Sequence, residues 1–523
     1  MKLIQTEEVA GLLHSGDTVA VGGFGAYGCP DELLDAVVQS YKASGSPDNI
    51  TWVTGIGTGD NTENEIGMNR VSIPGMTGCV VAAHLANCVK LGKAVGRNEI
   101  PAYVIPLGVV AHLMRAIAAG EPGVASHVGI HTLADPRNDG CCSNQAARDM
   151  GREVVKLIDV AGKECLFYPS FPIQVAFIRA TYADEDGNLS FDHEALTGME
   201  LEMALAAHNS GGIVIAQVEK IVKRGILKPK TVRVHRKLVD YVLVAKPEFH
   251  HQGYATDVYR PELTGEVQIP TNTLEPLPFD TRKIATRRAT MELKPGMIIN
   301  LGIGMPSGVG AVANEEGIGD TILSLESGPI GGVPIAGLGF AASVNAECIM
   351  SMADTFDFYD GGGLDMTCLG AAEIDRMGNV NVSSFNGRCT GPGGFINISQ
   401  STPEVIFLFA FTAGKNDISA HDGKLEIRQD GKPVKFVKEV GQVTFSAQYA
   451  LESGQKVLYI TERAVFRLTE KGLELIEIAP GVDLQKDILD KMDFEPIVSP
   501  ELKLMDERIF RQERMGLEED CHE

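Results

Sequence analysis

Apolar and polar positions along the chain fall into short blocks rather than long periodic runs, and the same order of blocks occurs twice. From His14 the sequence HSGDTVAVGGFGAYGCPDELLDAVV has a turn ending in glycine, a short apolar run, a glycine-rich turn, a proline and an amphipathic stretch. From Leu293, LKPGMIINLGIGMPSGVGAVANEEG repeats that order. Both predict a strand, a tight turn and a helix N-terminus, with Pro30 and Pro306 in the first helical turn, where a missing N–H costs nothing. The opening MKLIQTEEVAGLLHSGD has early acids and predicts a first helix rather than a signal peptide.

Further echoes follow in sequence. ITWVTGIGTG (Ile50–Gly59) pairs with TILSLESGPIGG (Thr321–Gly332), each a strand running into glycines. FIRATYADEDGNLSF from Phe177 pairs with LGAAEIDRMGNVNVSSF from Leu369, each a strand, an acidic Gly-Asn turn and a strand. GGIVIAQV from Gly211 pairs with VIFLFAFTAG from Val405. Uninterrupted apolar runs suit strands covered on both faces, as in parallel α/β sheets. The order therefore predicts two related α/β domains. Between them, residues 250–280 are rich in proline and polar residues, a linker by composition that puts the boundary near residue 280. The cleft between two such domains is the default ligand site.

Composition narrows the function. The 523 residues are 44% hydrophobic, a globular share, and lack a run of about 18 uncharged apolar residues. Net charge is −23, from 46 basic and 69 acidic residues, the wrong sign for a non-specific nucleic-acid binder. An anionic ligand would need a local basic patch or backbone N–H donors. One patch, Lys220–Lys237, holds eight Lys or Arg and no acid, and reads first as a solvated face. The ten cysteines form no CxxC pair and the histidines no HExxH, which argues against a disulfide framework or a metal site and fits a reducing cytoplasm.

The sharpest local signal is SLESGPIGGVP, where an apolar strand delivers Glu326 into a turn containing Gly328 and Gly331. An uncrowded acid at a strand end can approach a ligand, and glycine N–H groups can face an anion or a developing oxyanion. An ordinary turn acid explains the same pattern. A second turn, GPGGFINIS, carries Gly393 and Gly394 and enters an apolar run that reads as a strand. A third, GGFGAYGCP, carries Gly22, Gly23, Phe24 and Gly28 at a strand-to-helix junction suited to phosphate or carboxylate. A fourth, DGGGLD (Asp360–Asp365), reads as a bend or a close-approach site. GxSxG and GxxxxGK[ST] are absent, and GLGFAA (Gly337–Ala342) follows a proline turn rather than a strand, so it is set aside as a dinucleotide fingerprint.

Together these motifs resemble the family I CoA-transferases: GGFxxxGxP at Gly22–Pro30, ExGxxG at Glu326–Gly331 and GxGGF at Gly391–Phe395, in register along essentially the whole chain. The segment from Thr461 to Pro500 resembles the single-chain propionate/acetate branch. The resemblance implies two open α/β domains of the NagB/RpiA/CoA-transferase type, residues 1–280 and 281–523, with mostly parallel sheets and the active site at their interface. It implies CoA exchange between a short-chain acyl-CoA, such as acetyl-CoA or propionyl-CoA, and a free carboxylic acid, by a ping-pong route through a glutamyl-CoA thioester on Glu326. Coenzyme A would then be substrate and covalent intermediate, with no permanently bound cofactor and no metal. Gly393, Gly394, Gly328 and Gly331 would form an oxyanion or CoA wall, in a cytoplasmic homo-oligomer, dimer or tetramer. Two positions depart from many relatives. Ser327 replaces Asn, as in the propionate/acetate branch. Leu107, before Gly108, replaces a Gln in the acid pocket, leaving that pocket more apolar or reshaped. Rival readings are a thioesterase on the same scaffold and a non-catalytic CoA-binding protein.

Overall fold

The computed structural model describes residues 1–255, 258–270, 276–318 and 320–520; residues 256–257 and 271–275 of the sequence-defined linker lie outside them. The first half is built on a sheet whose main path runs, edge to edge, Lys2–Ile4, Tyr241–Val244, Ile213–Val222, Val175–Asp184, Thr18–Val21, Ile50–Ile56, Thr77–His84 and Ala102–Val104. Every pairing along this path is parallel. The continuous apolar runs expected of doubly covered strands sit at its centre: Val214, Ile215 and Ala216 pair with Ala176, Phe177 and Ile178, all buried.

The second half has its own sheet. Ile322–Ser324, Ile298–Leu301, Met366–Leu369, Glu404–Leu408 and Lys456–Ile460 are parallel neighbours at its centre. Antiparallel pairings extend it on both sides. The echoed strands take the same spatial order in both sheets. Ile213–Val222, Val175–Asp184, Thr18–Val21 and Ile50–Ile56 correspond to Glu404–Leu408, Met366–Leu369, Ile298–Leu301 and Ile322–Ser324. Duplicated sequence order has become duplicated sheet order.

The glycine turns lead where the pattern says, with two corrections. Pro30 caps helix Asp31–Ser44, whose Leu33, Leu34, Val37 and Val38 face the core; Gly45, at φ +74°, ends it. Pro306 precedes helix Gly308–Glu316. The first segment is not all helix: Lys2–Ile4 form an edge strand on Tyr241–Leu243 before helix Thr6–Val9 begins. Nor does the GPGG turn enter a strand; Phe395–Ser401 is a helix. Short apolar runs such as FINIS carry no periodicity that separates the two, and tertiary packing decides.

Backbone bonds join the halves at several places, among them Leu133 N–H to Val443 O (2.7 Å) and Met352 N–H to Gly198 O (3.0 Å), and they cluster at the end of strand Thr77–His84. Leu85 N–H donates to Thr390 O (2.7 Å), Gly393 N–H to Ala83 O (2.9 Å) and Leu107 N–H to Gly393 O (2.9 Å). Gly391 lies so close that a Cβ would collide with Ala83 O. Asn397 adds a bridge, its Oδ1 accepting from Gly108 N–H (3.1 Å) while Nδ2 donates to both Asp360 oxygens (3.0 and 2.9 Å). Asp360 ends helix Met352–Asp360, and the DGGGLD segment is the bend that follows it. Because these bonds use main chain, the turn's path depends on the first half folding correctly.

Candidate active site

Strand Ile322–Ser324 ends two residues before Glu326, and the chain reverses at once. Gly328 N–H donates to Leu325 O (3.0 Å) and Gly331 N–H to Leu323 O (2.8 Å). Ser327 turns inward to the carbonyl of Ala341, so the position that differs from many relatives serves the turn. Beneath lies a buried polar network: Tyr359 Oη is 2.6 Å from Ser324 Oγ, and Asn300 Nδ2 donates to Ser324 O (3.3 Å). This hairpin holds the Glu326 side chain beyond the end of its strand.

It projects into a cavity of about 230 Å³ between the halves. Phe24, Ile56, His84 and Asn87 line it from the first half; Leu338, Phe340, Leu369 and Phe395 are among those from the second. Glu326 is the only acidic residue among the described lining residues, and no Lys or Arg is among them. Burial pushes its carboxyl up to about 7, opposed by one hydrogen bond from the Gly394 backbone N–H. Desolvation thus outweighs the single backbone donor.

Gly394 needs to be glycine for space, not for backbone freedom. Its φ is −80°, open to any residue. A Cβ there would overlap Glu326 Oε2 and lie 3.0 Å from Phe356 Cζ. Gly393 also lines the cavity, but its N–H is taken by Ala83 O, so it shapes the wall without a free donor. Gly328 and Gly331 build the hairpin and do not line the cavity.

The N-terminal glycine turn divides. Phe24 reaches the cavity, whereas Gly22, Gly23 and Gly28 do not line it. Gly23 N–H donates to Glu200 Oε1 (3.0 Å), a buried carboxyl that desolvation raises to about 8. The Gly23 N–H is thus taken by a carboxyl whose neutral form burial favours. Leu107 and Gly108 are fully buried behind the GPGG turn, outside the cavity lining; Leu107 packs toward Gly55 and acts there through its N–H. The basic run also lies elsewhere: Lys230 and Arg233 line a separate cleft with Glu347 and Cys348. Among the described residues no cluster suits a metal ion.

Sequence reasoning missed several lining residues. His84, Asn300, Leu338 and Phe340 line the cavity. A lone histidine at a strand end carries no motif, and the GLGF turn containing Leu338 and Phe340 resembles, along the chain, only a loose nucleotide fingerprint. Its contact with the first half, Tyr27 Oη to Gly339 O at 3.0 Å, is invisible along the chain.

Comparisons with known proteins show the family and the fold. The profile of the coenzyme A transferase family matches residues 2–245. Caffeate CoA-transferase of Acetobacterium woodii is 42% identical over 523 residues, 99% of each chain. Acetate CoA-transferase YdiF of Escherichia coli strain K12 is 44% identical over 485 residues, 92% of this chain and 90% of that protein. The crystal structure of the acyl-CoA transferase YdiF apoenzyme from E. coli O157:H7 superposes with a TM-score of 0.92 at 41% identity, over 98% of this chain and 97% of that one. A thioester complex of that enzyme with CoA superposes at 0.91, also at 41% identity and with the same coverage of both chains.

Proposed function

This chain belongs to the coenzyme A transferase family, and from that premise we propose that it moves CoA between an acyl-CoA and a free carboxylic acid by way of Glu326. The observation that carries the assignment is a single carboxylate among the described residues that line a largely apolar cavity between the two halves.

The carboxylate of Glu326 attacks the thioester carbonyl; the C–S bond breaks, leaving a mixed anhydride and CoA thiolate. The thiolate attacks the Glu326 carbonyl, the anhydride C–O bond breaks, and the donor leaves as its carboxylate. The acceptor carboxylate then attacks the glutamyl thioester and expels the thiolate. Thiolate attack on the acyl carbonyl of the second anhydride releases Glu326 and the new acyl-CoA. Each nucleophile enters as an anion, so no general base is needed. The raised carboxyl makes Glu326 a more basic nucleophile than a solvated glutamate. Phe24, Leu338, Phe340 and Phe395 support the exclusion of water, which would otherwise hydrolyse anhydride and thioester. Gly394 N–H, beside the Glu326 carboxylate, is suited to follow charge onto the tetrahedral intermediates.

Treatment with acyl-CoA, then borohydride, then peptide mass spectrometry is expected to find Glu326 modified. Glu326→Gln is expected to stay folded and lose transfer. An unmodified Glu326 in active enzyme, or hydrolysis that ignores added acceptor acid, overturns the proposal. We further place the division between domains near residue 280. We place the enzyme in the cytoplasm as a homo-oligomer, with coenzyme A as a passing substrate. The nine described cysteines are unpaired thiols, which supports a reducing compartment, and no described helix is long and apolar enough to cross a membrane.

A further inference from the structure

The transfer chemistry gives no role to His84, which lines the cavity. His84 ends strand Thr77–His84, and its Nδ1 is 3.1 Å from the carbonyl oxygen of Gly391. A carbonyl only accepts, so Nδ1 carries the hydrogen of the neutral ring. Burial pushes the imidazole down to about 4, against the raising effect of the Gly391 carbonyl, and the nearby Arg388 cation lowers it further. Nε2 is then a bare lone pair. Among the described residues nothing donates to it, and the ring lines the cavity.

The cavity's charge limits what can fill it. With Glu326 the only acid and no Lys or Arg among the described lining residues, a second carboxylate on the substrate would be desolvated without a counter-ion. His84 and Glu326 line the same cavity, against successive residues of one turn. A Cβ on Gly393 would sit 3.7 Å from His84 Cγ, while Glu326 packs against the very next residue. A group held by His84 therefore occupies the same cavity of about 230 Å³ as the reacting carboxyl.

We propose that His84 is a specificity-determining residue whose Nε2 accepts a hydrogen bond from a hydroxyl on the tail of a monocarboxylic acid. The inference rests on the transferase reading above. A site built around an acceptor favours the hydroxylated acid over its plain analogue, because the analogue leaves the acceptor dry and unpaired.

The test measures kcat/KM with acetyl-CoA as donor and butyrate, α-hydroxybutyrate, β-hydroxybutyrate or succinate as acceptor. The full chain and its His84→Phe and His84→Gln variants are compared. Wild type is expected to favour one hydroxybutyrate over butyrate by about tenfold or more and to use succinate worst. His84→Phe is expected to bring that ratio to about one, and His84→Gln, which keeps an acceptor oxygen, to restore part of it. A purely structural role at Gly391 would depress both acids alike and leave the ratio unchanged, which overturns the inference. So does a rise in the acetyl-CoA KM at constant ratio, which would assign Nε2 to an amide N–H of the CoA arm. Should His84→Phe fail to fold, the wild-type ratio decides, and a value near one refutes the inference. Inertness of wild type towards every acid would sink the transferase reading instead.

Discussion

Replacing Gly394 by alanine tests the site most directly, because the expected damage follows from one coordinate. The new methyl would stand where Glu326 Oε2 now sits and 3.0 Å from Phe356 Cζ. The backbone at φ −80° accepts alanine without strain, and the position is the N-cap of helix Phe395–Ser401, where alanine is only modestly less favoured than glycine. The overlap is relieved most cheaply by swinging the Glu326 side chain, the only flexible partner, by about 1 Å or more. Displacement of that size at a reacting group costs about 100-fold in rate, or about 2.7 kcal/mol of barrier. Folding stability should stay within about 1 kcal/mol of wild type. Steady-state transfer from acetyl-CoA, thermal unfolding and borohydride trapping of the Glu326 thioester measure the three consequences. Gly11→Ala, where an added Cβ meets nothing within 4 Å, is the control. Wild-type kcat in a folded Gly394→Ala protein would refute the placement of the carboxylate against Gly394.

Two further outcomes follow from burial. Because Glu326 must be ionised to attack and its carboxyl is raised to about 7, kcat/KM should rise with pH through an inflection near 7 and level off above it; a profile already flat from pH 5 would contradict the desolvated environment. Leu107→Gln, which restores the amide that many relatives carry, should destabilise the fold by about 1–3 kcal/mol in urea unfolding, because the side chain is fully buried beside Gly55, and should gain no activity.

Local chemistry made much of this molecule legible. Turn glycines, prolines and apolar runs of four to eight residues act over a few neighbouring residues, so strands such as Ile213–Val222 and Ile298–Leu301, and the reversal after Glu326, could be read from order alone. The short run after Gly394 could not, because five apolar-rich residues suit a strand or a helix until packing chooses.

The sequence by itself determined the duplicated α/β plan and the delivery of one glutamate into a glycine turn, since both depend on residues adjacent in the chain. Tertiary structure alone decided that Ala83, Leu85 and Leu107 grip the turn around Gly393, and that His84 and Leu338 join Glu326 in one cavity. It also decided that desolvation would set the acidity of that glutamate. Those outcomes arise from contacts between segments hundreds of residues apart, and the removal of water that creates them has no signature in any one stretch of sequence.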